Sequence, residues 1–161
     1  MNMKKRIALI TGATSGIGEA CARRFAMGGY NIIVTGRNRK RLDEMKKELE
    51  AEGADVLTLC FDVRDRAQTK EAVESLGEEW QAVDVLINNA GLARGLEPEY
   101  DGDFTDWDEM IDTNIKGLLN MTRLIVPRMV ERNEGHVINV GSVAGDAAYA
   151  GGNVYCATKA A

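Results

Sequence analysis

The sequence predicts a doubly wound α/β fold, an open parallel sheet with helices on both faces. Three observations carry that expectation. Short, uninterrupted apolar runs alternate with longer stretches of helical periodicity. Strands that read as continuous apolar runs are those buried on both faces, as in parallel sheets. The first such run also ends in a glycine-rich turn that leads directly into a helix.

Taken in order, Ile7–Ile10 is the first strand, and the helix after its glycines runs through Glu19–Ala26 to Gly28-Gly29. Asn31–Thr35 is the second strand. A charged helix over Lys40–Glu52 follows, with Leu42, Met45 and Leu49 at helical spacing and Gly53 as its C-cap. Val56–Cys60 is strand three, Asp65–Leu76 a helix, and Val83–Ile87 strand four. Thr105 then reads as the N-cap of a long helix to Val130, with acidic residues at its positive end. Pro127 should kink that helix or loosen its last turn. Val137–Val140 is strand five, and a final helix begins near Tyr149–Asn153. Right-handed crossovers favour the strand order 3-2-1-4-5. Neither a repeat nor a linker divides the 161 residues, so they read as one domain, 1–161.

Composition narrows the function. The 20 basic and 25 acidic residues give a net charge of −5, which argues against nucleic-acid or anionic-membrane partners. His136 is the single histidine, so a His-rich metal site is excluded and a Ser-His-Asp hydrolase would depend on that one residue. The 3 cysteines form no CxxC pair and read as reduced thiols. The start, Met1 to Arg6, is basic, but the four apolar residues Ile7–Ile10 are too few for a secretory segment. No apolar run is long enough to span a bilayer. A cytoplasmic, soluble protein is the expectation.

Thr11-Gly12-Ala13-Thr14-Ser15-Gly16-Ile17-Gly18 connects the first strand to its helix. Such a turn lets the backbone approach a pyrophosphate whose charge sits at the helix N-terminus. Gly12 permits the tight turn, Gly16 the close approach, and Gly18 the packing of helix on sheet. The spacing G-x3-G-x-G differs from G-x-G-x-x-G, and no Walker lysine follows. Strand two ends in Gly36-Arg37-Asn38-Arg39, without the carboxylate that would accept a ribose 2′-hydroxyl. Arg37 is placed to meet a 2′-phosphate with its planar fork, and Gly36 leaves room for it. NADP is therefore the expected cofactor rather than NAD. The alternative is that Arg37, Arg39, Lys40 and Arg41 are a solvated helix start, although such a cluster opposes the helix dipole unless an anion arrives.

Further along lie Asn88-Asn89-Ala90-Gly91, Asn114, Ser142 and Tyr155-Cys156-Ala157-Thr158-Lys159. Strand ends in such a sheet share one crevice. Tyr155 and Lys159 are four apart and project from one helix face. A phenol ionises near 10, too high for a base at neutral pH, and a neighbouring ammonium stabilises its phenolate. Tyr155 would then exchange a proton with a substrate oxygen that the Ser142 hydroxyl holds in place. Asn114 is an odd choice inside a helix and needs a partner.

TGATSGIG, NNAG, Ser142 and YCATK, in that order, resemble the short-chain dehydrogenase/reductase family over essentially the whole chain. The resemblance implies a Rossmann-type fold in which Gly12, Ala13, Thr14, Ser15, Gly16, Ile17 and Gly18 bind the pyrophosphate and Arg37-Asn38 the 2′-phosphate end. It implies that Asp62 and Val63 meet the adenine and that Asn89, Ala90 and Gly91 line the cofactor. Asn114, Ser142, Tyr155 and Lys159 would form the catalytic tetrad, Lys159 also holding the nicotinamide ribose. A homodimer or homotetramer pairing through the long helix is implied as well. NNAGLARGLEP, DWDEMIDTNIKGL and the stretch from Gly135 to Ala161 are similar to the NADP-dependent 3-hydroxy acid dehydrogenases, which act on L-allo-threonine, serine and 3-hydroxypropionate-type substrates. Cys156 and Arg94 depart from that pattern.

Family members continue well beyond the position of Ala161, so the expectation is a fold truncated on its C-terminal side. Such a chain would dock NADPH but turn over substrate poorly or not at all. A carbonyl reductase for ketones, aldehydes or pterins, and a non-catalytic dinucleotide-binding module, are the competing readings. The acidic residues from Glu97 to Asp112, which include no basic one, read as a solvated loop and helix cap.

Overall fold

The computed structural model describes residues 5–161; the basic start therefore lies mostly outside the described residues. Five strands, β1 (Ile7–Ile10), β2 (Asn31–Gly36), β3 (Val56–Cys60), β4 (Val85–Asn88) and β5 (His136–Asn139), form one sheet. Its order is β3-β2-β1-β4-β5 and every pairing is parallel, Leu9 lying opposite both Ile33 and Leu86. This is the expected Rossmann-type topology, with the strand order reversing between β1 and β4.

Among the described residues there are six α-helices, α1 (Gly16–Met27), α2 (Arg39–Ala51), α3 (Arg66–Glu74), α4 (Phe104–Ile111), α5 (Leu118–Arg132) and α6 (Asn153–Ala160). Alternate strand residues go to opposite faces. Ala8, Ile10, Ile32 and Val34 meet Ala22 of α1 and Leu42, Met45 and Leu49 of α2. Ile7, Leu9, Ile33 and Leu86 meet Val73 of α3 and Met121, Ile125 and Met129 of α5. Each such fully buried aliphatic side chain contributes on the order of 1.5–3 kcal/mol, which is why the apolar runs dictate the sheet. On β5 the cover is thinner, and His136, Val137 and Asn139 are exposed.

The long helix expected from Thr105 to Val130 is three pieces. Asp103, rather than Thr105, caps α4, accepting the Thr105 amide proton at 2.6 Å. Between α4 and α5 the six residues Asp112–Gly117 form a π-helical segment, the kind of insertion that often marks a functional position. Pro127 does not end α5, which runs on to Arg132 and closes on Asn133 in the left-handed conformation (φ 51°). Burial of Ile125 and Met129 on either side of Pro127 holds that last turn against the core despite the missing amide proton. Among the described residues, no helix is long and apolar enough to cross a membrane.

Candidate active site

A cleft opens at the carboxyl edge of the sheet, where the order reverses. Its lining includes Gly12, Thr14 and Ser15 after β1, Gly36 and Arg37 at the end of β2, Asp62 and Val63 after β3, and Ala90 and Gly91 after β4.

The glycine loop is held by Thr11, which is buried and accepts the amide protons of both Asn89 and Ala90 at 3.0 Å. The Asn89 side-chain amide donates in return to the carbonyls of Thr11 (2.9 Å) and Gly12 (3.1 Å). Strand four's end and the loop are thus one unit. Gly12 has φ +62°, and a Cβ there would lie 2.9 Å from the Ala90 Cα. At Gly18 a Cβ would fall 2.4 Å from the Asn89 amide nitrogen and 2.5 Å from the Gly12 carbonyl, so only glycine lets α1 start this close to β4. Gly16 is left-handed (φ +56°) with open space above it. The Ser15 side chain caps nothing, so the first turn of α1 points uncapped toward the cleft. Ala13 is buried and its amide proton goes to the Thr35 carbonyl at 3.0 Å, leaving Thr14, Ser15 and the first helical amides to face a ligand. Ile17 presents an apolar side chain that is largely exposed.

At the far end, Arg37 is exposed, with Nη1 3.8 Å from an Asp62 oxygen. Asn38 accepts the Arg41 amide proton (3.1 Å) and so caps α2. Arg41 belongs to a separate network with Glu19 (2.7 Å), Glu44 and Glu48 that also includes Arg23. Part of the basic cluster is therefore neutralised inside the chain, while Arg37 faces the cleft. Gly36 is needed for Thr14 as well, since a Cβ there would sit 2.8 Å from the Thr14 methyl. Burial pushes the Asp62 carboxyl up, yet the bonds it accepts from the Arg64 guanidinium and amide outweigh this and hold it below the usual range.

Asn114 lies in the π-helical segment, buried. It accepts the Leu92 amide proton (2.9 Å) and donates to the Leu92 carbonyl (2.9 Å) and the Thr158 hydroxyl (2.9 Å). The wider π turn gives this amide the partners that an ordinary helical position would deny it. Thr158 donates to the Tyr155 carbonyl at 2.8 Å, and Lys159 Nζ donates to the Val140 carbonyl at 3.1 Å. A Cβ on Gly91 would meet both Asn114 Oδ1 and Lys159 Nζ at 3.3 Å, so Gly91 is the point where these two groups and the main cleft converge. Ser142 Oγ accepts the Ala144 amide proton (3.2 Å), the turn-capping role its position permits, and keeps its own proton free.

Tyr155 lines a small hollow with Arg94, Trp107 and Met110, and Asn114 and Lys159 line another with Leu118, Asn139 and Val140. Among the described residues the Tyr155 hydroxyl makes no hydrogen bond. Asn114, Lys159 and Gly91 are brought together; Ser142 and Tyr155 flank them without a direct bond.

A model of the short chain dehydrogenase family matches residues 6–161. The chain belongs to that family. Among its relatives as a short chain dehydrogenase, the NADP-dependent 3-hydroxy acid dehydrogenase YdfG of Salmonella typhi is 56% identical over 154 residues, covering 96% of this chain and 61% of that protein. Sulfoacetaldehyde reductase 2 of Chromohalobacter salexigens is 48% identical over 155 residues, with the same shares. The closed form of a serine dehydrogenase complexed with NADP+ superposes with a TM-score of 0.91 at 54% identity, over 96% of this chain and 61% of that one. The chain thus spans about three-fifths of the length of these short chain dehydrogenases.

Several site residues escape the sequence reading. Thr35 and Thr113 line the main cleft, and among the described residues their buried hydroxyls have no partner. Thr11, Arg64 and Thr158 organise neighbours that the motifs do name. For Thr158 a signal exists, since it lies within YCATK; for Thr35 and Thr113 the sequence offers none.

Proposed function

We propose that this chain is the cofactor-binding and catalytic segment, residues 1–161, of an NADP-dependent oxidoreductase for small 3-hydroxy acids and their carbonyl counterparts. The single observation behind it is the cleft at the strand-order reversal: a left-handed glycine loop, an uncapped helix start and an exposed arginine at its two ends. Its shape and chemistry fit the dinucleotide. The free first turn of α1 suits a pyrophosphate, and the Arg37 fork suits the 2′-phosphate. The nature of the relatives supports the same cofactor, since the YdfG and serine dehydrogenase relatives are named with NADP.

In this reading Gly12 to Gly18, Arg37-Asn38, Asp62-Val63 and Asn89 to Gly91 form the cofactor cradle, Ala13, Asn38 and Asn89 by shaping backbone. The bound nicotinamide supplies or receives the hydride. Tyr155 moves the proton to or from the substrate oxygen, and Ser142, whose proton is free, donates a hydrogen bond to that oxygen. Lys159 lies one helical turn on, where its ammonium favours the phenolate. Asn114 fixes the loop at Leu92 and the helix at Thr158, which keeps the two walls of the site in register. Substrates are small hydroxy acids such as L-allo-threonine, serine or 3-hydroxypropionate, and the assembly is a homodimer or homotetramer working in the cytoplasm.

The test is a panel of 3-hydroxy acids, simple alcohols and aldehydes assayed with NADP(H), for the whole oxidoreductase that carries this segment and for its Tyr155→Phe variant. Preference for the acids, with turnover lost at least about 100-fold in Tyr155→Phe and NADPH affinity unchanged, is the expected outcome. Unchanged turnover removes Tyr155 from the mechanism.

A further inference from the structure

Arg94 takes no part in the cofactor cradle or the tetrad, yet the fold sets it beside the proton-transfer residue. The loop after β4 carries it, and that loop is clamped twice. Asn114 bonds both main-chain groups of Leu92 at 2.9 Å, and the Arg94 amide proton goes to the Met110 sulfur of α4 at 3.4 Å. From this fixed start the side chain reaches α4 again, where Nε donates to Glu109 at 3.2 Å. Glu109 is held on its other oxygen by Arg64 at 3.0 Å, which makes it a firm anchor. The Arg94 guanidinium is therefore tethered along one edge. Among the described residues neither of its Nη atoms makes a hydrogen bond, and the side chain is 51% exposed.

That unspent end borders the hollow that Tyr155 lines. Every other charged group around the hollow is an acid: Glu97, Asp103 and Asp106. Two of them have work within the chain. Asp103 accepts the Thr105 amide proton that opens α4, and Glu97 accepts the Leu96 amide proton at 2.9 Å. Arg94 answers none of the three, since its ion-pair partner is Glu109. It is thus the one cation lining a hollow that would otherwise repel anions, and the sign of charge admitted beside Tyr155 depends on it. The two Nη groups of an arginine present parallel N–H bonds that match the two oxygens of a carboxylate. In a 3-hydroxy acid the carboxylate carbon lies two bonds from the carbon that exchanges hydride. A group that binds this carboxylate must therefore border the same hollow as the residue that takes the hydroxyl proton.

We infer that Arg94 determines substrate specificity in this chain: its free fork receives the carboxylate of the 3-hydroxy acid whose hydroxyl Tyr155 serves. The inference rests on the 3-hydroxy acid reading above and names a residue that carries it. Glu109 positions the fork, and the acids around the hollow make its charge decisive.

The experiment uses the whole oxidoreductase that carries this segment, with NADP+ and two paired substrates: 3-hydroxypropionate and its methyl ester, a neutral molecule of the same skeleton. In Arg94→Leu the KM for the acid should rise at least about tenfold, while KM and kcat for the ester change less than about threefold. Arg94→Lys keeps the charge but loses the fork, so its KM for the acid should fall between those of the parent and Arg94→Leu. The NADPH dissociation constant, read from nicotinamide fluorescence, should agree within about twofold in all three proteins, because Arg94 does not line the main cleft. Equal losses for acid and ester, or an unchanged KM for the acid, overturn the proposal; a merely structural tether on Glu109 would give the first. Weaker NADPH binding in Arg94→Leu also overturns it, since the arginine would then act through the cofactor. Should Arg94→Leu fail to fold, Arg94→Lys decides alone, and its loss must be confined to the acid. A parent enzyme that handles the ester as well as the acid would instead refute the 3-hydroxy acid reading itself.

Discussion

Replacing Asn114 by alanine should cost about 3 kcal/mol of folding stability, because it removes three buried or half-buried hydrogen bonds worth on the order of 1 kcal/mol each. The loss has a defined anatomy. Two of the bonds tie the loop after β4 at Leu92, and the third ties α6 at Thr158, so the substitution uncouples both from the π turn. Thr158→Val removes the third bond and the hydroxyl's own bond to the Tyr155 carbonyl, at a cost nearer 1–2 kcal/mol. Since the two variants share one bond, the double variant should be more stable than the sum of the singles predicts by about 1 kcal/mol. Urea unfolding at constant m-value, followed by circular dichroism, measures all four corners of this cycle. A single-variant loss for Asn114→Ala below about 1 kcal/mol, or strict additivity, would refute the view that Asn114 clamps the site.

Other consequences are as direct. Gly91→Ala places a methyl 3.3 Å from both Asn114 Oδ1 and Lys159 Nζ, so it should lower kcat by about tenfold with little change in thermal stability, read by steady-state kinetics beside calorimetry. Asp62 has its folded pKa below the ordinary aspartate value of 3.8, so its pairing stabilises the fold above that value and the contribution disappears as the pH falls through the lowered one. The parent protein should therefore lose stability more steeply than Asp62→Asn between pH 5 and pH 2, as followed by acid titration of the far-ultraviolet signal; parallel curves would show that the pair contributes nothing.

Much of the fold was legible because the physics that makes it is local in sequence. Ile7–Ile10 and Ile32–Val34 are apolar and buried on both faces, as a covered parallel sheet requires of such runs. The glycines at 12, 16 and 18 were equally readable, since each departs from what an L side chain tolerates, in conformation or in space. The π turn was not, because an apolar period cannot register one extra residue; the sole hint was an asparagine, Asn114, where a helix disfavours one. Helical spacing correctly placed Tyr155 and Lys159 one turn apart on α6; it does not reveal their surroundings, the Val140 carbonyl for Lys159 and the hollow beside Met110 for Tyr155. The basic start of α2 is only partly readable from its own residues. Arg41 is answered by Glu19, twenty-two residues earlier, a pairing that only the packing of α1 on α2 creates. Arg64 and Glu109 escaped for the same reason: forty-five residues separate them, and an acidic stretch without a basic member reads as solvated until the fold supplies its partners.

Isothermal titration of the protein with NADPH and with NADH goes most directly to the centre of the account, with Arg37→Ala run in parallel. One NADPH per chain, bound at least about tenfold more tightly than NADH, with the difference erased in Arg37→Ala, is the predicted result. Equal affinity for the two dinucleotides, or no heat of binding with either, would contradict it.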